Sequence, residues 1–289
     1  MPIDRVFVAG AGLMGHGIAQ VHAAIGKHVV LFEPDLARVV AGRDRIAANL
    51  DQVVEKRRLT GEIRDAILER IEATDDARQV ADAGLVVEAI YEDLEVKRRF
   101  WREIDGLAPA DAIFASNTSS IAIDDLAAAV EPDRRPAFVG MHFFSPVPVM
   151  RLVELVRGTA TSDETAATIR DLSTELAKHV IVSADRPGFI VNRMLMPFLG
   201  EAMRAFEEGV GSAEDIDAGA KIGLNHPMGP LALADFIGLD VCKSIMIVLH
   251  EGIGGEQFRP PKVLLDLVEA GHLGQKTGRG FHRYDEKTD

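Results

Sequence analysis

The stretch Arg5-Val6-Phe7-Val8-Ala9-Gly10-Ala11-Gly12-Leu13-Met14-Gly15 decides the fold. Arg5 to Ala9 reads as a short buried strand, and the pattern from Leu13 to Ile25 reads as a helix. The glycines between them have the form G-x-G-x-x-G, which is weak alone because glycine is common. Placed between a strand and a helix it has a physical reading. Gly10 permits the tight turn, Gly12 lets a pyrophosphate approach the backbone, and Gly15 lets helix and strand pack closely. The helix start at Leu13 and Met14 offers unpaired N–H groups and a positive dipole end to phosphates.

The next apolar run, His28 to Phe32, is followed by Glu33. A carboxylate there accepts hydrogen bonds from an adenosine ribose and repels a 2′-phosphate, so NAD is expected over NADP. Phe32 is not basic, which points the same way. A glycine-rich turn beside a solvated Glu would give the same letters, but strand, helix and acid together weigh against it. Gly10, Gly12, Leu13, Met14, Gly15 and Glu33 are thus the candidate cofactor-binding residues.

Further apolar runs follow at 85–89, 112–115, 137–141 and 180–182, separated by helical patterns such as Asp35 to Leu59 and Leu94 to Ile104. Near-continuous apolar strands between helices indicate a parallel sheet covered on both faces. After Asp185-Arg186-Pro187-Gly188 strand-like runs become rare. Ile190 to Glu207, Ala213 to Ile222, Leu231 to His250 and Pro261 to Glu269 read as helices. The expected fold is α/β: a Rossmann-type doubly wound NAD-binding domain over 1–186, then an all-α C-terminal domain over 187–289.

Composition narrows the partners. The 289 residues are 47% hydrophobic and carry a formal net charge of -13, which argues against binding nucleic acid or an anionic membrane. An anionic ligand must therefore find a local basic patch. The single cysteine, Cys242, excludes an intrachain disulfide and a cysteine-based metal cluster, and its helical, apolar context reads as a small buried residue. No metal is expected. No run reaches the length of a membrane span and no signal peptide is apparent, so the cytoplasm is the expected compartment.

Two polar groups stand out in apolar surroundings. His142, in Gly140-Met141-His142-Phe143-Phe144-Ser145-Pro146, comes at the end of an expected strand, where open α/β sheets bind ligands. Histidine exchanges protons near neutral pH, as oxidation of an alcohol requires. Glu154 lies in Met150-Arg151-Leu152-Val153-Glu154-Leu155-Val156, apolar enough to be a buried strand. A carboxylate there needs a partner, and an imidazole N–H is suitable. By spacing alone a lone His near a strand end is more often structural. The run Ser116 to Ser120 reads first as a helix N-cap, and Asn192 reads equally well as a simple cap.

These segments together resemble the 3-hydroxyacyl-CoA dehydrogenase family, most closely its short stand-alone bacterial members, the 3-hydroxybutyryl-CoA dehydrogenases. The resemblance runs along nearly the whole chain. It is carried by Gly10 to Gln20, Ser116 to Ser120, Met141-His142-Phe143-Phe144, Pro187-Gly188-Phe189-Ile190-Val191-Asn192-Arg193, His226-Pro227-Met228-Gly229-Pro230-Leu231 and Lys276-Thr277-Gly278-Arg279-Gly280-Phe281. It implies NAD-dependent oxidation of a short (S)-3-hydroxyacyl-CoA, with 3-hydroxybutyryl-CoA expected, in short-chain fatty acid or butanoate metabolism.

The resemblance also implies roles. His142 would be the acid/base residue and Glu154 its paired carboxylate. Ser119 and Asn192 would bind the reacting end of the substrate. Glu92 and Lys97 would lie near the nicotinamide ribose, and Lys276 would contact NAD. Lys56, in the basic run Lys56-Arg57-Arg58, would meet CoA phosphates, while Arg57 and Arg58 read as a solvated helix face. The helical domain would close the acyl site and form a homodimer. Two positions depart from the family: Ser145 stands where Asn is usual, so its contact to cofactor or thioester is expected to be weaker or water-bridged, and His282 stands where Tyr is favoured, with no functional reason in the sequence. The alternatives are the same chemistry on another acyl chain, such as 3-hydroxyadipyl-CoA, or a noncatalytic NAD-binding protein. The presence of both His142 and Glu154 weighs against the latter.

Overall fold

A computed structural model describes residues 3–284, so the outer ends of both expected domains, residues 1–2 and 285–289, lie outside the described residues. The chain divides after Arg186 into two compact units. No helix among the described residues is long and apolar enough to cross a membrane.

The first unit runs β1 (Arg5–Ala9), α1 (Leu13–Ala24), β2 (His28–Phe32), α2 (Leu36–Glu55), α3 (Gly61–Glu69), β3 (Ile71–Thr74), β4 (Leu85–Glu88), α4 (Leu94–Asp105), β5 (Ile113–Ser116), α5 (Ile123–Ala127), β6 (Phe138–Phe143), β7 (Leu152–Arg157), α6 (Asp163–Glu175) and β8 (His179–Ala184). The strands form one sheet in the order β3-β2-β1-β4-β5-β6-β7-β8. Every neighbouring pair is parallel except β6 with β7. The chain builds outward from β1 through β2 to β3, then returns to β4 on the other side of β1. That reversal makes a switch point, and ligands bind at the carboxyl ends of the strands beside it. Ala9 and Glu88 are register partners there.

The central strands are buried on both faces, which accounts for their continuous apolar sequence. Beneath β5 and β6, Trp101 of α4 stacks on Phe114 at 5.0 Å and meets Phe138 edge-on at 4.8 Å between ring centroids. Truncating a buried aromatic of this kind costs about 3–5 kcal/mol. The Asp93 carboxylate accepts from Val96 N and starts α4, which fixes where Lys97 and Trp101 point.

The second unit is helical: α7 (Val191–Glu207), α8 (Ala213–Ala218), α9 (Pro230–Ile237), α10 (Leu239–Ile253) and α11 (Lys262–Glu269). Its core gathers Met196, Leu199, Met203, Leu231, Cys242, Met246, Leu249 and Leu264. Burial pushes the Cys242 thiol up to about 12, so it behaves as the inert apolar residue its context suggested.

Four expectations need correction. The helix expected over Leu231 to His250 is two, because Gly238 adopts φ +104°, a backbone that glycine alone takes readily, and Leu239 N turns aside to the Leu273 carbonyl. The helix expected over Ala213 to Ile222 stops at Ala218 and gives way to one wide turn over Gly219–Gly223. The helix expected over Asp35 to Leu59 ends at Glu55, and Arg57 takes the left-handed conformation that closes it. Finally, β3 was not anticipated: Ile71-Glu72-Ala73-Thr74 is an edge strand, half of it polar.

Helix α1 buries His22 completely, with Nδ1 donating to the Ile18 carbonyl and the ring edge-on to Phe143. Burial lowers its pKa to about 4 from the ordinary 6.5. Between these values the unfolded chain binds the proton and the native protein does not. Stability therefore rises with pH across this window, and as pH falls the contribution is lost from 6.5 down to about 4. The full loss is on the order of 3 kcal/mol. Denaturant unfolding of wild type and His22→Leu from pH 7 to pH 4 should show a stability slope up to one proton shallower in the variant. Parallel curves would exclude His22 as the source.

Candidate active site

The glycine turn leaves β1 in a conformation that side chains would block. Gly10 has φ +97°, and a Cβ there would come within 2.3 Å of the Ala89 carbonyl oxygen. A Cβ on Gly15 would lie 1.7 Å from the Gly10 carbonyl oxygen, so helix and turn touch through bare backbone. At Gly12 a Cβ would meet nothing within 4 Å, and no side chain caps α1. Open space over an uncapped helix start, with the Leu13 and Met14 N–H groups behind it, fits a pyrophosphate. Glu33, just after β2, folds its carboxylate over the turn and accepts from Ala11 N at 3.1 Å. The described residues here thus fit a dinucleotide.

The antiparallel pairing of β6 with β7 places Glu154 directly opposite His142. Their side chains meet, His142 Nδ1 to Glu154 Oε2 at 2.8 Å, with Glu154 fully buried and His142 nearly so. A carboxylate accepts, so a bond to Glu154 puts the ring hydrogen on Nδ1. The Phe144 ring lies 4.6 Å from the imidazole. The next residue on β6, Phe143, donates its N–H to the Asn117 amide oxygen at 2.8 Å. The loop after β5 is thereby tied to the histidine strand.

That loop is organised by Glu92. Its Oε1 accepts from Thr118 Oγ1 at 2.6 Å, Ser119 N at 2.9 Å, Ser120 N at 3.1 Å and Ser120 Oγ at 2.9 Å. The Ser119 hydroxyl donates to the same oxygen at 3.3 Å. Burial acts to raise the Glu92 carboxyl, but the Lys97 ammonium and the bonds from Thr118 and Ser119 outweigh it and hold the group below the usual range. The helix N-cap expected of this run does not form: α5 starts at Ile123 after Ala122 with no side-chain cap, and the Thr118 hydroxyl instead accepts from Ile121 N within the loop. Lys97 is buried between Glu88 and Glu92. Burial opposes its charge, yet the two carboxylates keep its pKa above the ordinary lysine value. Its ammonium is committed to those partners.

Ser145 is exposed on the loop after β6. Lys178, which the sequence reading did not single out, donates from Nζ to the Val147 and Met150 carbonyls at 2.6 and 2.7 Å and holds that loop's far end. Gly17 of α1 holds the near side, where a Cβ would meet Val147 Cβ at 2.9 Å. Lys56 is exposed at the C-terminus of α2, free of helix packing. In the second unit, Asn192 is buried in the first turn of α7, and Lys276 pairs with Asp240 at 2.5 and 2.7 Å. His282 receives a structural account: its Nε2 lies 2.8 Å from Asp217, whose carboxylate also accepts from Leu231 N and Ala232 N at the start of α9.

The comparisons with known proteins agree along the chain. Residues 5–186 match the NAD binding domain of 3-hydroxyacyl-CoA dehydrogenase, and residues 188–284 match its C-terminal domain. The chain is 49% identical over 282 residues to 3-hydroxybutyryl-CoA dehydrogenase of Bradyrhizobium diazoefficiens, covering 98% of this chain and 96% of the relative. It is 42% identical to the mitochondrial hydroxyacyl-coenzyme A dehydrogenase of Sus scrofa, covering 98% and 91%. The crystal structure of (S)-3-hydroxybutyryl-CoA dehydrogenase from Ralstonia eutropha superimposes with a TM-score of 0.94 at 44% identity, covering 99% of this chain and all of that one. On this fold, this glycine turn and these matches, the chain belongs to the 3-hydroxyacyl-CoA dehydrogenase family.

Proposed function

We propose that the chain oxidises the 3-hydroxyl of a short (S)-3-hydroxyacyl-CoA to the 3-oxoacyl-CoA with NAD, and that 3-hydroxybutyryl-CoA is its substrate. The observation that carries this reading is the cross-strand pair of His142 and Glu154, set in the same unit as the glycine turn. The names of the relatives support the substrate.

Bound NAD supplies the hydride acceptor, held at Gly10, Gly12, Leu13, Met14, Gly15 and Glu33, with Glu92, Ser119, Ser145 and Lys276 as further contacts. His142 Nε2 takes the hydroxyl proton as the C3–H bond breaks, and returns it to the 3-oxo oxygen in the reverse direction. Glu154 holds the tautomer and stabilises the imidazolium. Ser119 and Asn192 bind the reacting end of the substrate, and Lys56 offers a cation to the CoA phosphates. The protein works in the cytoplasm as a homodimer. Exposed apolar side chains on the second unit, among them Val210, Ile222 and Leu224, support self-association.

Glu33→Ala should raise the KM for NAD and narrow the preference over NADP, read from initial rates with both cofactors; a wild-type preference for NADP would refute the role of Glu33. Lys56→Ala should weaken binding of acetoacetyl-CoA more than of acetoacetyl-pantetheine, which lacks the nucleotide. Equal losses on both would place Lys56 outside the CoA site. The mechanism itself is tested by single-turnover reduction of acetoacetyl-CoA by NADH. Glu154→Gln should lower the rate roughly a hundredfold or more with NADH affinity little changed. His142→Ala should lose as much or more, and the double variant should be little worse than His142→Ala, because the two side chains act as a unit. Near-normal turnover by a folded His142→Ala protein would sink the proposal.

A further inference from the structure

Glu88 is the last residue of β4 and is fully buried. Its backbone is in register with Ala9 on one side and Ser116 on the other, so it sits where the glycine turn and the 117–120 loop both leave the sheet. Three donors converge on its carboxylate. Ser116 Oγ donates to Oε2 at 2.7 Å, Ile90 N donates to Oε1 at 3.0 Å, and the Lys97 ammonium closes on Oε1. From the same ammonium an ion pair of 3.1 Å reaches Glu92, and Glu92 gathers the N–H groups of Ser119 and Ser120 onto one oxygen.

A buried carboxylate needs a counter-charge, and a buried ammonium needs the same. Glu88 has no freedom, because its strand is fixed by neighbours on both sides. It fixes Lys97, which stands on α4 and has no solvent to turn to. Lys97 then pairs with the other oxygen of Glu92, which lies just before α4 and is partly exposed, and so steadies the carboxylate that the 118–120 donors share. The shape of the Ser119 loop is thus set two ion pairs away from it.

We propose that Glu88 is a positioning residue: acting through Lys97 and Glu92, it places Ser119 for the reacting end of the substrate. This rests on the assignment of Ser119 as a substrate contact made above. Among the described residues, the Glu88 carboxylate is held by Ser116 Oγ, Ile90 N and the Lys97 ammonium.

The test uses the full-length protein with Glu88→Gln, which keeps the shape and removes the charge. Three quantities are read: amide hydrogen exchange of peptides covering 117–121 against a reference in α6, kcat and KM for acetoacetyl-CoA at saturating NADH, and melting temperature. Exchange at 117–121 should quicken while the α6 reference holds. The kcat/KM for acetoacetyl-CoA should fall roughly tenfold, the middle of the range for coupled neighbours. Placed on Ser119→Ala, Glu88→Gln should cost little more. If Glu88→Gln does not fold, the double variant Glu88→Gln/Lys97→Met replaces the buried pair with neutral groups of similar size, a change that folds often tolerate, and the same loop exchange and the same fall are expected. A lowered melting temperature with unchanged loop exchange and unchanged kcat/KM would make Glu88 purely structural and overturn the proposal. So would an equal loss in the wild-type and Ser119→Ala backgrounds. A wild-type protein that cannot reduce acetoacetyl-CoA would overturn the proposed reaction instead, and the loop exchange would still decide the role of Glu88.

Discussion

A carboxylate inside an apolar sheet must be met by donors, and the carboxyl edge of this sheet holds two that are fully buried, Glu88 and Glu154. The sheet answers each differently. For Glu154 the answer is a change of strand direction: β7 runs against β6, and the ladder sets the imidazole of His142 opposite it. For Glu88 it is a lysine brought in from α4, with a serine from the next strand. The site therefore grows out of the means by which the sheet tolerates its own buried charge.

The same edge joins the working parts mechanically. Ala9, Glu88 and Ser116 lie side by side on three neighbouring strands. From them depart the glycine turn, the segment leading to Glu92 and the Ser119 loop. Asn117 then bridges to β6 beside His142. Lys97 is the long side chain that links Glu88 to Glu92 across this edge. Backbone register does the alignment, and short polar contacts lock each loop to the strand beside it.

Much of this was legible in the sequence because periodicity and glycine spacing encode it directly. The strands of the first unit other than β3 follow from apolar runs, and the turn from its glycines; the lone acid in the run at 152–156 called for a partner, and the family resemblance supplied His142. The same argument applied to Glu88, the single acid in Leu85-Val86-Val87-Glu88, points to a second buried charge, although its place at the end of a strand makes it look like a solvated terminus. The burial of Lys97 between two carboxylates was not legible, because it depends on how α4 lies over the sheet. Residues 71–74 were illegible because an edge strand that is half exposed has no apolar run to reveal it. Gly238 sits inside an unbroken apolar period, so only its positive φ discloses that α9 ends there. His282 had no reading until Asp217 was seen beside it.

Gly17 has a consequence for anyone wishing to redesign cofactor choice. It belongs by sequence to the nucleotide-binding segment, yet the space it leaves is filled by Val147 and Pro148, on the loop that follows His142. The α1 helix is thus packed against the glycine turn at one end and the loop after His142 along its side. Any redesign that shifts α1 to admit a bulkier phosphate would drag that loop with it and tax the chemistry. Changes at the end of β2, where Glu33 contacts the turn through the single N–H of Ala11, leave the helix where it is. The turn can thus be altered from the β2 side without moving α1, but not from the α1 side without moving the loop after His142.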